Sequence, residues 1–182
     1  REGYRVMKPG GALLVCNHVS YVDALIIAGA VRRPIRFVMY KPIYELPVLR
    51  FVFKTGGAIP ICSPREDKKT YNQAMADIAA GLEAGDLLCI FPEGKLTRDG
   101  SINQFKSGVE RILEKTPVPV VPLALKGLWG SFFSHSDRGV FKRPFRRVWS
   151  KIELASGLPI DNASISASEL QQAVQLLRGD RQ

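Results

Sequence analysis

The stretch GALLVCNHVSYVD, residues 11–23, decides the fold. Its first six residues are glycine or apolar and follow Pro9 and Gly10, so they predict a short buried strand. The next four residues, NHVS, predict a loop, and residues 24–31 predict a helix that carries the chain away from this loop. A strand, a polar loop and a helix in this order are typical of one unit of an α/β sheet.

The same alternation continues along the rest of the chain. Further strands are predicted at 35–39, 58–61, 87–91, 118–125 and 151–155, and further helices at 42–54, 67–84, 105–115 and 167–178. Strands that alternate with helices predict an α/β fold, with one largely parallel or mixed sheet flanked by helices. We expect residues 1–182 to form a single domain, excised from a longer chain because the sequence opens at Arg1 without a methionine.

The composition restricts the partners that the chain can have. Its 26 basic and 17 acidic residues give a net charge of +9, which favours an anionic partner. A nucleic acid, a membrane surface and a phosphate-bearing substrate all meet that condition. No apolar run approaches the roughly 20 residues of a membrane-spanning helix, so any contact with a bilayer is expected at its surface. Cys16, Cys62 and Cys89 lie in apolar runs without CxxC spacing and are expected to be free core thiols in a reducing compartment.

His18 and Asp23 form the first candidate site. His18 follows a predicted strand directly, and open α/β sheets bind ligands at the carboxyl ends of their strands. A nearby carboxylate can fix the imidazole tautomer, so that the other ring nitrogen accepts a proton from an attacking hydroxyl. The pattern Ser20-x-x-Asp23 also fits a capping box, in which these residues satisfy amides at the start of a helix. From these residues alone, the catalytic and the structural interpretations both stay open.

Two motifs together resemble those of a known family. The segment NHVSYVD, residues 17–23, fits the pattern NHxSxxD, and FPEG follows at residues 91–94. Both are signature blocks of the glycerolipid acyltransferase (PlsC-type) family, which the chain resembles. The resemblance implies that His18 and Asp23 are the catalytic pair and that Glu93 and Gly94 bind the glycerol and phosphate region of the acceptor. Asn17 and Ser20 of the first block are assigned to the substrate site on the same basis.

Two further blocks agree less closely with the family pattern. Residues 57–61, followed by Arg65, resemble the second block, which ends in a phosphate-binding arginine, although Arg65 also fits a solvated loop residue. Residues 118–122 resemble the fourth block. After FPEG the chain continues KLTR where many members have TRS, so Lys95 or Arg98 would supply the positive charge for the acceptor. This variant is similar to the acyltransferase part of bacterial 2-acylglycerophosphoethanolamine acyltransferases.

The resemblance implies transfer of a fatty acyl group from acyl-ACP or acyl-CoA to a hydroxyl of a lysophospholipid. The alternative acceptor is glycerol 3-phosphate or lysophosphatidic acid, and an alternative of another class is a non-catalytic lipid- or nucleic-acid-binding module. His18 would take the proton of the hydroxyl, and a backbone amide near His18 or at Gly94 would stabilise the oxyanion. No cofactor is expected. No metal site is expected either, because HExxH is absent and His135 lies far from His18 in the sequence.

Two segments bear on the partners outside the active site. Residues 126–151 interleave basic with aromatic residues, a composition that suits an anionic bilayer surface, single-stranded nucleic acid or a core with a charged rim. Residues 42–54 can form an apolar docking or acyl-binding face, or part of the core. Taken with the acyltransferase motifs, these segments favour an anionic membrane surface as partner and no nucleic acid. We expect a peripheral membrane protein on the cytoplasmic side, with possible fused domains beyond this sequence.

Overall fold

The structure is a computed structural model that describes residues 10–20, 22–129, 152–161 and 164–180. Its strands are β1 (Ala12–Cys16), β2 (Ile35–Tyr40), β3 (Ile59–Ile61), β4 (Leu87–Ile90), β5 (Val120–Lys126) and β6 (Glu153–Ser156). Its helices are α1 (Asp23–Ala30), α2 (Lys41–Tyr44), α3 (Pro47–Thr55), α4 (Lys68–Glu83), α5 (Gly108–Lys115) and α6 (Ala167–Arg178). Most of the basic and aromatic segment 126–151, and His135 within it, lie outside the described residues.

The strands form one mixed sheet in the order β3-β2-β4-β1-β5-β6. The first five strands in this order are parallel, and only β6 runs antiparallel, against β5. The predicted α/β layered sheet, largely parallel or mixed and flanked by helices, is therefore confirmed. Because β1 and β4 are adjacent and parallel, the loops that follow them meet at the same edge of the sheet.

Apolar side chains pack on both faces of the sheet. In β1, Leu13 and Val15 join a core that includes residues of α4, α5 and α6, whereas Leu14 and Cys16 join a second core that includes Ile27 of α1. This division follows from the alternation of side chains along a strand. The three cysteines are free and buried, as predicted, and burial raises the pKa of the Cys16 and Cys89 thiols.

Several predicted boundaries are confirmed to within a residue or two. Asp67 caps α4, where its side chain accepts from the Thr70 N–H, and Gly85 follows the helix with a φ of 94°, as expected of a C-terminal glycine. The strand predicted to begin at Lys151 is observed from Glu153 to Ser156, and Lys151 itself lies outside the described residues. Residues 42–54 divide into α2 and α3, as one or two short helices were expected.

The predicted start of α5 was wrong by three residues. Helix α5 begins at Gly108 instead of Phe105. The N–H of Phe105 donates to the side chain of Gln171, and the N–H of Lys106 donates to the Pro92 carbonyl at 3.0 Å. These bonds to distant parts of the chain hold residues 105 and 106 in a loop beside the end of β4.

Candidate active site

The candidate site lies where β1 and β4 end. His18 is two residues beyond β1, and Phe91, Pro92 and Glu93 directly follow β4. The loop that carries His18 follows β1, and the loop that carries Glu93 follows β4. Because these strands are parallel neighbours, His18 and Glu93 form a hydrogen bond although they are 75 positions apart in the sequence. This edge is the one at which open α/β sheets bind their ligands.

The His18 ring is held in place on two sides. Its Nδ1 lies 2.9 Å from Oδ2 of Asp23, and its face stacks on Phe91 with 4.3 Å between the ring centroids and 20° between the planes. The side chain keeps 22% of its surface exposed. Because Nδ1 donates to the carboxylate, the neutral ring carries its free lone pair on Nε2. That nitrogen can accept a proton from a hydroxyl.

Asp23 is completely buried at the start of α1. Besides the imidazole, its Oδ2 accepts the N–H of Val19 at 2.7 Å and the N–H of Ser20 at 2.9 Å. Its Oδ1 is buried without a hydrogen-bond partner among the described residues. The carboxylate therefore accepts the Ser20 N–H, which is one of the two bonds of a capping box, and also contacts the His18 ring, while its catalytic role stays a prediction. The helix cap itself is Val22, without a side-chain bond.

Glu93 fastens the His18 loop to the loop after β4. Its Oε1 accepts the N–H of His18 at 2.7 Å, while Oε2 accepts the N–H and the side-chain amide of Asn103 at 2.7 and 2.8 Å. The residue is 1% exposed, and burial raises its pKa, against the lowering effect of the bonds from His18 and Asn103. The N–H of Thr97 binds the His18 carbonyl at 3.1 Å, so the His18 backbone is held at both ends.

The remaining residues of the first motif are also occupied by the protein. Asn17 is buried, and its side-chain amide binds the carbonyl and the N–H of Leu125 in β5 at 3.1 and 2.8 Å. Ser20 is buried, and its hydroxyl accepts the N–H of Val22 at 3.2 Å. Both side chains thus stabilise the loop around His18, and their predicted contact with substrate stays a prediction.

Gly94 completes a tight turn after β4. Its φ is 65°, a left-handed value that favours glycine, and its N–H donates to the Phe91 carbonyl at 3.0 Å. The expectation that the Gly94 amide is open to an anion is therefore wrong, because the turn itself uses that N–H. Gly94 still matters for the site, since a side chain in this position would meet the amine of Lys106.

The predicted cations separate into two groups. Arg65 and Lys95 line one open groove of about 960 Å³, which also borders Glu93 and Asn103. Arg98 is exposed and is not among the residues that line this groove. Arg65 and Lys95 therefore border the same groove, although 30 residues separate them in the sequence.

Sequence reasoning missed four residues of this site. Asn103 and Thr97 fix Glu93 and His18, Phe91 stacks on the imidazole, and Lys106 lines the groove. Phe91 belongs to the FPEG motif and Thr97 to the KLTR segment after it. The sequence analysis named both segments but predicted no role for these two residues. Lys106 lies in the segment 105–115 that was predicted as a helix, and no motif singled it out. Among the described residues, no group of three His, Cys, Asp or Glu side chains is arranged to hold a metal ion.

The chain is similar to a known family and to several of its proteins. Residues 2–126 match the protein family described as Acyltransferase, and the chain belongs to this family. It is 29% identical over 134 residues to 1-acyl-sn-glycerol-3-phosphate acyltransferase BAT2 of Brassica napus, covering 74% of this chain and 38% of the relative. It is 27% identical over 167 residues to N-acylphosphatidylethanolamine synthase of Arabidopsis thaliana, covering 84% of this chain and 57% of the relative.

The fold also matches a solved structure. The crystal structure of the 1-acyl-sn-glycerophosphate acyltransferase PlsC from Thermotoga maritima superposes with a TM-score of 0.70 at 21% identity, covering 98% of this chain and 68% of that chain. At this identity the match supports the fold. The chain spans 38% of the length of the Brassica relative, so what the whole protein acts on is a matter for proposal.

Proposed function

We propose that the chain carries the catalytic site of an O-acyltransferase that moves a fatty acyl group from a thioester to a hydroxyl of a lysophospholipid. The observation that carries the proposal is the bond of 2.9 Å between His18 Nδ1 and the buried Asp23, with the ring still partly exposed. A lone structural histidine has no need of both a buried carboxylate on one nitrogen and a ring that stays partly exposed. A general base requires both.

The reaction is a direct transfer in this proposal. Nε2 of His18 takes the proton as the acceptor oxygen attacks the thioester carbonyl carbon, and Asp23 stabilises the imidazolium cation that results. The carbon–sulfur bond of the tetrahedral intermediate then breaks, and the imidazolium returns the proton to the leaving thiolate. The products are an ester and a free thiol, and His18 is restored. The N–H of Lys95 makes no hydrogen bond with any described residue, so we assign it, in place of that of Gly94, to the oxyanion.

The names of the relatives support a glycerophospholipid acceptor. The Brassica relative is named for 1-acyl-sn-glycerol-3-phosphate, which is lysophosphatidic acid, the alternative acceptor predicted above. The KLT segment after FPEG resembles enzymes that act on a lysophosphatidylethanolamine. Both acceptors present a free glycerol hydroxyl near a phosphate, so one mechanism serves either. The donor is proposed to be acyl-CoA or acyl-ACP.

An exposed apolar surface supports a location at an anionic membrane. In α3 and just before it, Leu46, Phe51 and Val52 are exposed, Phe51 with 74% of its surface. Arg50 and Lys54 are exposed in the same helix, a combination that suits an interface between apolar lipid and anionic headgroups. In the described parts of the chain, no helix is long and apolar enough to cross a bilayer. We propose peripheral attachment on the cytoplasmic side, as part of a longer protein.

A product assay with a His18→Ala variant tests the function. The protein is incubated with radiolabelled oleoyl-CoA or oleoyl-ACP and, separately, lysophosphatidic acid, lysophosphatidylethanolamine or glycerol 3-phosphate. We expect acyl transfer to at least one acceptor and a loss of about 10²- to 10⁴-fold in His18→Ala, the usual value of general base catalysis. Sedimentation with anionic liposomes and the thermal unfolding midpoint serve as controls, and both should persist. Transfer that survives in His18→Ala, or none by the wild type with any pair, would contradict the proposal.

A further inference from the structure

The groove beside the His18 site is lined by three cations from two loops, one between β3 and α4 and one between β4 and α5. Arg65 follows β3, Lys95 follows the FPEG motif, and Lys106 precedes α5. Glu93 also borders the groove, and the same carboxylate accepts the N–H of His18. Glu93 therefore both borders the groove and holds the backbone of the proposed general base.

Lys106 is fixed by its backbone and by the shape of the turn at Gly94. Its N–H donates to the Pro92 carbonyl at 3.0 Å. Its side chain crosses directly over Gly94, since a Cβ built on that glycine would lie 2.5 Å from the Lys106 amine. Because Gly94 has no side chain, the Lys106 amine can lie against its Cα. Gly94 directly follows Glu93 in the sequence.

The three cations lack the carboxylate partners that a few other basic residues have. Lys41 and Arg36 each form an ion pair, at 3.1 Å and 2.8 Å, whereas the side chains of Arg65, Lys95 and Lys106 form none within the described ranges. The positive charge of this groove is therefore largely available to a ligand.

Two carboxylates near the groove are already committed to the protein. Glu66 accepts from the Tyr40 hydroxyl and the Ser63 N–H, and the charge of Lys106 contributes to lowering its pKa. Glu110 accepts the N–H of Ala167 at 2.7 Å. These carboxylates balance part of the charge of the groove from its rim, but neither forms an ion pair with its three cations.

We propose that Lys106, together with Arg65 and Lys95, binds the phosphate group of the acceptor. A phosphate is best held by several cationic donors, and two loops supply three of them here. The inference rests on the proposed function, because it places the acceptor phosphate in the groove while the hydroxyl to be acylated lies at His18. It adds a residue that neither motif of the family resemblance had indicated.

Steady-state kinetics of a Lys106→Gln variant test this assignment. The concentrations of oleoyl-CoA and of the acceptor that serves the wild type are varied separately, in the full-length protein. We expect the acceptor KM to rise about tenfold, the effect of losing one charge-assisted contact, with kcat and the KM for oleoyl-CoA changed less than about twofold. Lys106→Arg keeps the charge and should recover most of the loss. Lys115→Gln removes the same charge at the far end of α5 and should change nothing.

The outcomes separate this inference from the function on which it rests. An acceptor KM that stays constant in Lys106→Gln would overturn the inference while leaving the acyltransferase in place. A rise in the KM for oleoyl-CoA instead would also overturn it, because the groove would then bind the phosphates of the donor. A wild type without acyl transfer would reject the proposed function itself, before any variant is compared.

Discussion

Two adjoining regions of the molecule differ in how they use their polar groups. Around His18, the carboxylates of Asp23 and Glu93 are buried, and both accept hydrogen bonds from other parts of the protein. In the groove beside it, Arg65 and Lys106 are exposed, and their side chains form no ion pair within the described residues. The first region is preorganised, and the second is left open for a charged ligand.

The difference suggests a division of labour. A fixed base and its fixed partners act on the chemical step, so their loss should lower kcat. Unpaired cations act on a bound phosphate in both the ground state and the transition state, so their loss should raise KM. The predictions below test whether this division holds, and Glu93 is the critical residue because it borders both regions.

The largest effect is expected from Asp23→Asn. The amide can still accept from one backbone N–H, but it lacks the negative charge that stabilises the His18 imidazolium. We expect kcat to fall by about a thousandfold with the acceptor KM nearly constant.

The control for this variant is Asp161→Asn, which removes an exposed carboxylate from a loop. It should retain the kcat and the acceptor KM of the wild type. An Asp23→Asn variant that unfolds at the wild-type temperature and retains full kcat would show that Asp23 serves only the helix start.

A smaller loss, about a hundredfold in kcat, is expected from Glu93→Gln. Glutamine has one oxygen where Glu93 has two, so its amide must face either the N–H of His18 or the donors of Asn103. The Glu93 side chain then no longer holds both the His18 backbone and Asn103. The His18 ring can shift, and a displaced general base lowers the rate of the chemical step. The acceptor KM should change less than about twofold, because both carboxylate oxygens are directed at the protein.

This result decides between two roles for Glu93. The family resemblance predicts acceptor binding, and in that case the acceptor KM would rise while kcat stayed near the wild-type value. The matched control is Glu114→Gln, an exposed residue of α5 that should leave both constants unchanged. Unfolding curves of both variants show whether a loss of rate is only a loss of folded protein.

The parts of the fold that sequence predicted well are those with local causes. Helix α6 was predicted with both ends correct. Its start has a local cause, because Ser166 and Glu169 form a capping box within four residues. The β1 strand followed from an unbroken apolar run. By contrast, the start of α5 depends on bonds from Phe105 and Lys106 to residues elsewhere in the chain, and no local pattern contains them.

The candidate site divides in the same way. His18 and Asp23 are five residues apart, so their contact could be predicted from the chain itself. The bonds from Glu93 to His18 and from Asn17 to Leu125 join residues 75 and 108 positions apart. They exist because β1 lies between β4 and β5, and a pattern of alternating strands and helices does not specify that order.

The smallest effect, and the one that couples the two regions, is expected from Gly94→Ala. A methyl group there would lie 2.5 Å from the Lys106 amine, and the flexible end of that side chain can move away. The left-handed φ of 65° adds backbone strain. We expect the acceptor KM to rise roughly three- to fivefold with kcat little changed, because Lys106 moves and the bonds of Glu93 remain.

In a Lys106→Gln background the same substitution should raise KM much less, since the amine that it displaces is already gone. Equal increases in both backgrounds would mean that Gly94 acts on the acceptor independently of Lys106.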